Sequence, residues 1–234
     1  MRLETLSWGE GGRTAILVHG LSARAALWAG MASRLAANGY RILAPDLRGH
    51  GRSPRGAYSV EAWAADLLEN LPAAPDLAIG HSLGGIILLE TVLGLSPKVA
   101  VYIDPPWIGP SDASTAIAEF EARKALSRDA IAAANPGWSP HEVDLRHEGF
   151  QLWDATTARA FMESRKADYS PSGPPPQPSL LILPDPSPLA PPSVIERVRE
   201  CGWDVEVFGG AGHYVHLDQS AAVLDRLLHW LSRV

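Results

Sequence analysis

Between Leu77 and Leu93 the chain runs Leu-Ala-Ile into Gly80-His81-Ser82-Leu83-Gly84-Gly85 and out again into Ile-Ile-Leu-Leu. An apolar run that ends in Gly-x-Ser-x-Gly and resumes at once reads as a strand, a sharp turn and a helix. The spacing leaves little freedom. The returning helix must pass close to the strand, and a side chain at Gly80 or Gly84 would collide. Such a turn lifts the Ser82 hydroxyl clear of the sheet. It also aims the first amides of the next helix, with their partial positive charge, at the space beside it.

The rest of the chain alternates in the same way. Strands are predicted at Arg2–Trp8, Arg13–His19, Tyr40–Ala44, Leu77–Ile79, Val99–Ile103, Leu180–Leu183 and Val205–Phe208. Helices are predicted at Ala25–Asn38, Val60–Asn70, Ser82–Leu93, Pro191–Glu200 and Ser220–Leu231. Short apolar runs separated by helices imply an α/β fold, with a mostly parallel central sheet covered on both faces. One region breaks the alternation. From Trp107 to Pro176 there is no buried-strand pattern, only amphipathic stretches such as Ala116–Ala125 and Asp154–Arg165. The proline-rich run Ser170–Pro178 then reads as a stiff connector back into the sheet.

Bulk properties narrow the class. A length of 234 residues suits one core domain with a small insertion. The net charge of -6 gives no reason to expect nucleic acid or an anionic membrane as partner. Cys201 is the only cysteine, so no intrachain disulfide can form. The N-terminal stretch has no apolar core of signal-peptide length, and no apolar run reaches the length of a membrane span. A cytoplasmic location is expected. The excess of arginine over lysine, with abundant alanine, proline and glycine, suggests a GC-rich bacterial source. No metal cluster, phosphate loop or dinucleotide fingerprint is evident, so no cofactor is expected.

Two further segments agree with the Ser82 turn. Ala15-Ile-Leu-Val-His19-Gly20-Leu21 is an apolar strand ending in His-Gly, and Gly209-Gly-Ala-Gly-His213-Tyr214 is a glycine-rich turn after a late strand. With aspartates between Ser82 and His213, the order is Ser, Asp, His. His213 is the best base, because an imidazole can take and return a proton near neutral pH. His216 is its near rival. His19, His50 and His81 read as structural, and His141, His147 and His229 as surface residues. Leu83, directly after Ser82, supplies one backbone donor for a developing oxyanion.

Together with Asp46-Leu-Arg-Gly-His-Gly-Arg-Ser53, these motifs resemble the α/β-hydrolase superfamily over nearly the whole chain. The resemblance implies a hydrolase core at 1–106 and 176–234 and a helical cap inserted at 107–175. It implies Leu21 as the second oxyanion donor. It leaves the acid open. An ungapped match to the family's commonest pattern puts Ser187 where the acid should stand. A shorter variant after the same strand gives Asp185 the role and is preferred. Some members carry the acid after the preceding strand, which here would be Asp104.

The implied activity is cleavage of a carboxylic ester or lactone of a small, fairly apolar molecule through an acyl-enzyme on Ser82. Trp28, Trp107, Trp153 and Tyr214 are the expected pocket residues. Trp138, Phe150, Phe161 and Met162 supply more apolar surface in the lid. Thioesters, activated amides and C–C bonds fit the same motifs. Two other classes occur on such a fold: a cofactor-free oxygenase or lyase, and a non-catalytic small-molecule-binding protein. The intact Ser82 turn argues against the oxygenase or lyase, and turnover of a chromogenic acetate ester separates the hydrolase from the binding protein.

Overall fold

The computed structural model describes residues 1–234. Seven strands form one sheet in the order β1-β3-β2-β4-β5-β6-β7. They are β1 (Thr5–Trp8), β2 (Arg13–Val18), β3 (Tyr40–Pro45), β4 (Leu77–His81), β5 (Val99–Ile103), β6 (Ser179–Asp185) and β7 (Asp204–Gly209). Only the β1–β3 pair is antiparallel. Strand order steps outward from β2 to β3, then returns past β2 to β4. The carboxyl ends of β2 and β4 therefore flank the switch point, where open α/β sheets place their ligands.

Period-2 alternation divides the strand side chains between two layers. Ile16, Val18, Ala78, Ala100, Tyr102, Leu181 and Leu183 face α2 (Val60–Asn70), α3 (Leu83–Leu95) and α8 (Pro192–Glu200). Ala15, Leu17, Leu77, Ile79, Val101 and Ile182 face α1 (Ala29–Ala37) and α10 (Ser220–Leu231). Burial on both faces explains why these strands read as continuous apolar runs. One predicted helix is divided: Ala25–Trp28 forms a 3₁₀ turn before α1. The Asp46 carboxylate accepts from the Ala25 amide at 2.7 Å and fixes where that turn starts.

The segment between β5 and β6 carries α4 (Ala113–Ala122), α5 (Arg128–Ala134), α6 (Pro140–Leu152) and α7 (Thr156–Ser164). The two amphipathic stretches read from the sequence correspond to α4 and α7, with shifted ends. Helix α6 starts on a capping box made by Ser139 and Glu142. The stem of the segment is pinned where it leaves and rejoins the core. Tyr169 N donates to Trp107 O at 2.8 Å, and Gly109 N to Ala167 O at 3.1 Å. Trp107, Trp153, Phe161 and Tyr169 join the α2–α3 layer. Ile131, Trp138, Val143 and Phe150 form a smaller cluster with Ala23, Leu27 and Leu217. That cluster ties α5 and α6 to the turn after β2.

Candidate active site

Ser82 sits between β4 and α3 with φ 52° and ψ -121°, a conformation disfavoured for any residue with a Cβ. The glycines around it have no room to be anything else. A Cβ on Gly80 would lie 2.4 Å from Gly84 O, and one on Gly84 would lie 2.2 Å from Val18 O. Strand β4, helix α3 and the end of β2 are thus in backbone contact. A Cβ on Gly20 would come within 2.9 Å of the Ser82 Cβ, so the His19-Gly20 turn is held equally close.

Leu21 and Leu83 flank Ser82 on the wall of one cavity. Leu83 is the first residue of α3, so its amide has no acceptor one turn back. The Leu21 turn is set by His19. The Leu47 amide donates to His19 Nε2 at 3.0 Å, so the ring proton sits on Nδ1 and donates to Gly20 O at 2.8 Å. Burial lowers the His19 pKa, which keeps Nε2 free to accept. From the other side, buried Arg146 of α6 donates to Ser22 O at 2.7 Å and to Ser22 Oγ at 3.2 Å. Ser22 has a positive φ of 60°. The Arg146 guanidinium has no carboxylate partner, and burial brings its pKa down to about 10.

His213 stands in the turn between β7 and the short helix α9 (Val215–Asp218). Its Nδ1 lies 2.6 Å from Asp104 Oδ2. Asp104 directly follows β5, is fully buried and has φ 38°. Its other oxygen accepts from Ser187 Oγ at 2.8 Å. Here the preferred acid of the sequence reading is corrected. Asp185, the last residue of β6, is exposed, and its carboxylate neither meets His213 nor accepts a hydrogen bond. The chain leaving β6 instead brings Ser187 to the Asp104 carboxylate. The residue that stood in the expected acid position is the donor to the carboxylate that reaches the histidine.

Two contacts escaped the sequence reading. His81, read as structural, donates from Nε2 to the His213 carbonyl at 3.0 Å, and its ring lies 4.7 Å from the His213 ring. Ser187 is the other. Neither has a motif of its own. For His81 the only signal was adjacency to Ser82. His216, the rival base, is buried against Trp28 at a ring separation of 4.5 Å. Burial holds its pKa down at about 3 and that of His81 well below the usual imidazole value, so both rings are neutral.

Ser82 and His213 line a cavity of about 580 Å³, a size typical of small-molecule sites. Core residues Leu21, Leu83, Ser187, Pro188 and Leu189 form one wall. The β5–β6 segment forms the other through Ile108, Ala116, Phe120, Phe161 and Met162, together with Glu119, Arg123 and Arg165. The four expected pocket residues do not line it. Trp28, Trp107 and Trp153 are 2%, 0% and 0% exposed and pack within the core layers. Tyr214 is spent on His81, Trp138 and the Arg146 guanidinium. Large rings are where the stem and layers need volume, so residue size alone pointed to packing positions. Of the further apolar residues between β5 and β6, Phe161 and Met162 reach the cavity, whereas Trp138 and Phe150 do not. No group of His, Cys, Asp and Glu side chains is arranged to hold a metal ion. No helix is long and apolar enough to cross a membrane.

Comparison with known proteins agrees with this architecture. The family model described as "Alpha/beta hydrolase family" matches residues 15–226. An uncharacterised Mycobacterium tuberculosis protein is 39% identical over 84 residues, which is 34% of this chain but only 24% of that protein. N-formylmaleamate deformylase of Pseudomonas putida is 28% identical over 93% of this chain and 88% of its own. Among solved structures, E-2-(acetamidomethylene)succinate hydrolase superposes with a TM-score of 0.80 at 21% identity, covering 98% of this chain and 95% of that one. An esterase from Exiguobacterium antarcticum gives 0.75 at 19% identity, covering 98% and 95%. The named relatives are a deformylase, a hydrolase and an esterase, and with the family match they support hydrolase activity. The chain belongs to the α/β-hydrolase family.

Proposed function

We propose that the chain is a serine hydrolase that cleaves a carboxylic ester or lactone through an acyl-enzyme on Ser82, with residues 107–175 as the cap over its cavity. The observation that carries the reading is the 2.6 Å contact of His213 Nδ1 with a fully buried Asp104, beside a strained Ser82 that shares the His213 cavity. With Nδ1–H committed to Asp104, Nε2 is the lone-pair nitrogen. It takes the Ser82 proton as Oγ adds to the substrate carbonyl. The Leu21 and Leu83 amides receive the resulting oxyanion. Nε2–H then passes its proton to the leaving alkoxide, the C–O bond breaks, and the acyl group remains on Ser82. Water repeats the sequence, giving its proton to Nε2 and its hydroxide to the acyl carbon, and Ser82 is released with the acid. Asp104 holds the ring in register and offsets the positive charge it gains.

The likeness to a deformylase supports a second reading, in which the same acyl-enzyme forms from an amide and the proton goes to nitrogen. One panel separates the two: matched esters, lactones and amides assayed with wild type and Ser82→Ala. A fluorophosphonate probe should label the peptide that contains Ser82. Loss of the leaving-group reaction in Ser82→Ala by about 10⁴-fold or more is the expected result. Near-full turnover by that variant would overturn the reading.

A further inference from the structure

The chain as a whole is acidic, with a net charge of -6, yet the wall that its cap presents to the cavity is not. Arg123 and Arg165 both line it, against one acidic side chain, Glu119. Glu119 lies one helical turn before Arg123 and is exposed, and it makes no ion pair with it. Arg165 is anchored rather than neutralised. Its Nε donates to Lys166 O at 3.1 Å and its Nη2 to Pro106 O at 2.8 Å. Nη1 keeps its hydrogens without an acceptor in the chain, and the guanidinium lies 5.3 Å from the Phe161 ring. The Arg123 guanidinium has no hydrogen bond or ion pair. Its head is laid over Phe120 at 4.0 Å, and it repels the buried Arg146, which has no carboxylate partner either.

Two half-buried guanidiniums, held in place by stacking and by backbone carbonyls, are preorganised donors with no ion-paired carboxylate. Burial already makes the Arg165 cation less favourable than in water. An anion that entered the cavity would relieve that cost and would be met by planar donors suited to carboxylate geometry. The same cavity is also lined by apolar Phe161, Met162 and Leu189, which suits a short hydrocarbon spacer.

We propose that the substrate is an acid as well as an ester, lactone or amide: a small molecule whose free carboxylate is received by Arg123 and Arg165 while its scissile carbonyl lies at Ser82. This inference rests on the serine-hydrolase reading above. It replaces the expectation of a fairly apolar substrate with that of an apolar spacer ending in a negative charge.

The test uses two p-nitrophenyl esters of adipic acid, one with its far carboxylate free and one with it methyl-capped, each corrected for uncatalysed release. The capped ester keeps the spacer and removes only the charge. Wild type should show at least about tenfold higher kcat/KM for the free acid, and added salt should shrink that advantage, because an ion pair in a half-open cavity is screened. The ratio should fall at least about tenfold in Arg123→Gln/Arg165→Gln and less in Arg165→Lys, which keeps the charge but not the fork. A wild-type ratio of one or below overturns the proposal by itself, even if the double variant fails to fold. An unchanged ratio in a folded double variant, judged by its melting transition, overturns it too and leaves the arginines as cap supports. Ser82-dependent turnover of both esters at equal rates sinks only the carboxylate. Turnover that survives Ser82→Ala sinks the hydrolase reading beneath it.

Discussion

The ends of β5 and β6 look alike in sequence and differ in every physical respect. Each apolar strand runs into Asp-Pro, as Asp104-Pro105 and Asp185-Pro186. The two strands are neighbours in the sheet and parallel. Yet Asp104 is fully buried, sits at positive φ and has an oxygen on His213 and an oxygen on Ser187. Asp185 is exposed and bonded to nothing through its side chain. The carboxyl end of β5 faces the β7–α9 turn through Asp104, whereas β6 continues three residues past Ile182, the partner of Ile103, before it ends. A carboxylate does work where surrounding donors converge on it, and only one of these two has them.

The sharpest way to break this comparison is to remove each charge in turn. Asp104→Asn should lower kcat by about 10³–10⁴-fold with modest change in KM, because the amide presents a hydrogen to Nδ1 and favours the wrong tautomer. Steady-state kinetics on any turned-over ester checks it. A loss smaller than tenfold would mean that His213 does not depend on Asp104 for its orientation.

Much of the site was legible because backbone sterics wrote it into the sequence. Gly80 and Gly84 each mark a contact in which a Cβ has no space, so the Ser82 turn could be located from the sequence. The sheet was legible for another reason: burial on both faces makes each central strand a continuous apolar run. What was not legible depended on where chain segments meet after folding. Nothing local distinguishes Asp104 from Asp185, since the difference is made by Ser187 arriving from 83 residues away. The pocket tryptophans failed likewise. Ring size predicts burial well, but whether a buried ring faces a cavity or a neighbour depends on tertiary placement that periodicity does not encode. Helices α5 and α6 went undelimited because their burial is confined to a few residues, Ile131, Val143, Arg146, Gly149 and Phe150, too sparse for a clear stripe.

Acid should reveal the same asymmetry through stability. His81 and His216 pack on the His213 ring side of the site, along with Tyr214, and no histidine lies at the end of β6. Burial holds both folded pKa values below the ordinary imidazole value of about 6.5. The unfolded chain therefore binds more protons below pH 6.5, so stability is complete above that value and falls as the pH drops below it. Each ring should contribute a slope of up to about 1.4 kcal/mol per pH unit in that window. Denaturant melts at pH 7.5, 6 and 5 should show the decline, and His216→Gln should flatten it. A slope that is the same in wild type and His216→Gln would show that the ring is protonated at no cost.

Ser187→Ala sharpens the comparison by removing the contact that makes the β5 carboxylate special while leaving the Asp104–His213 pair. The lost bond is charge-assisted, worth about 1.5–3 kcal/mol, and part of it is recovered by solvent from the cavity that Ser187 lines. The expected result is a kcat reduced by about tenfold, with Ser187→Thr restoring most of it because the hydroxyl is kept. An unaltered kcat in Ser187→Ala would make Ser187 a loop support through its bonds from Leu189 N at 3.1 Å and Ala190 N at 2.9 Å.

Asp185→Asn should do least of all. An exposed carboxylate with no hydrogen bond and no ion pair has no folded-state partner to lose, so stability should change by less than about 0.5 kcal/mol. Removing one distant, solvent-screened charge should leave kcat within about twofold of wild type. The same experiment tests for a hidden alternative arrangement. If the loop after β6 could swing so that Asp185 reached His213, the double variant Asp104→Asn/Asp185→Asn would be far slower than Asp104→Asn alone. Equal rates in the single and double variants mean that the β6 carboxylate never substitutes for the β5 one. A further hundredfold loss in the double variant would mean that two carboxylates compete for one imidazole, and that the asymmetry between the strand ends is a preference of this conformation rather than a property of the chain.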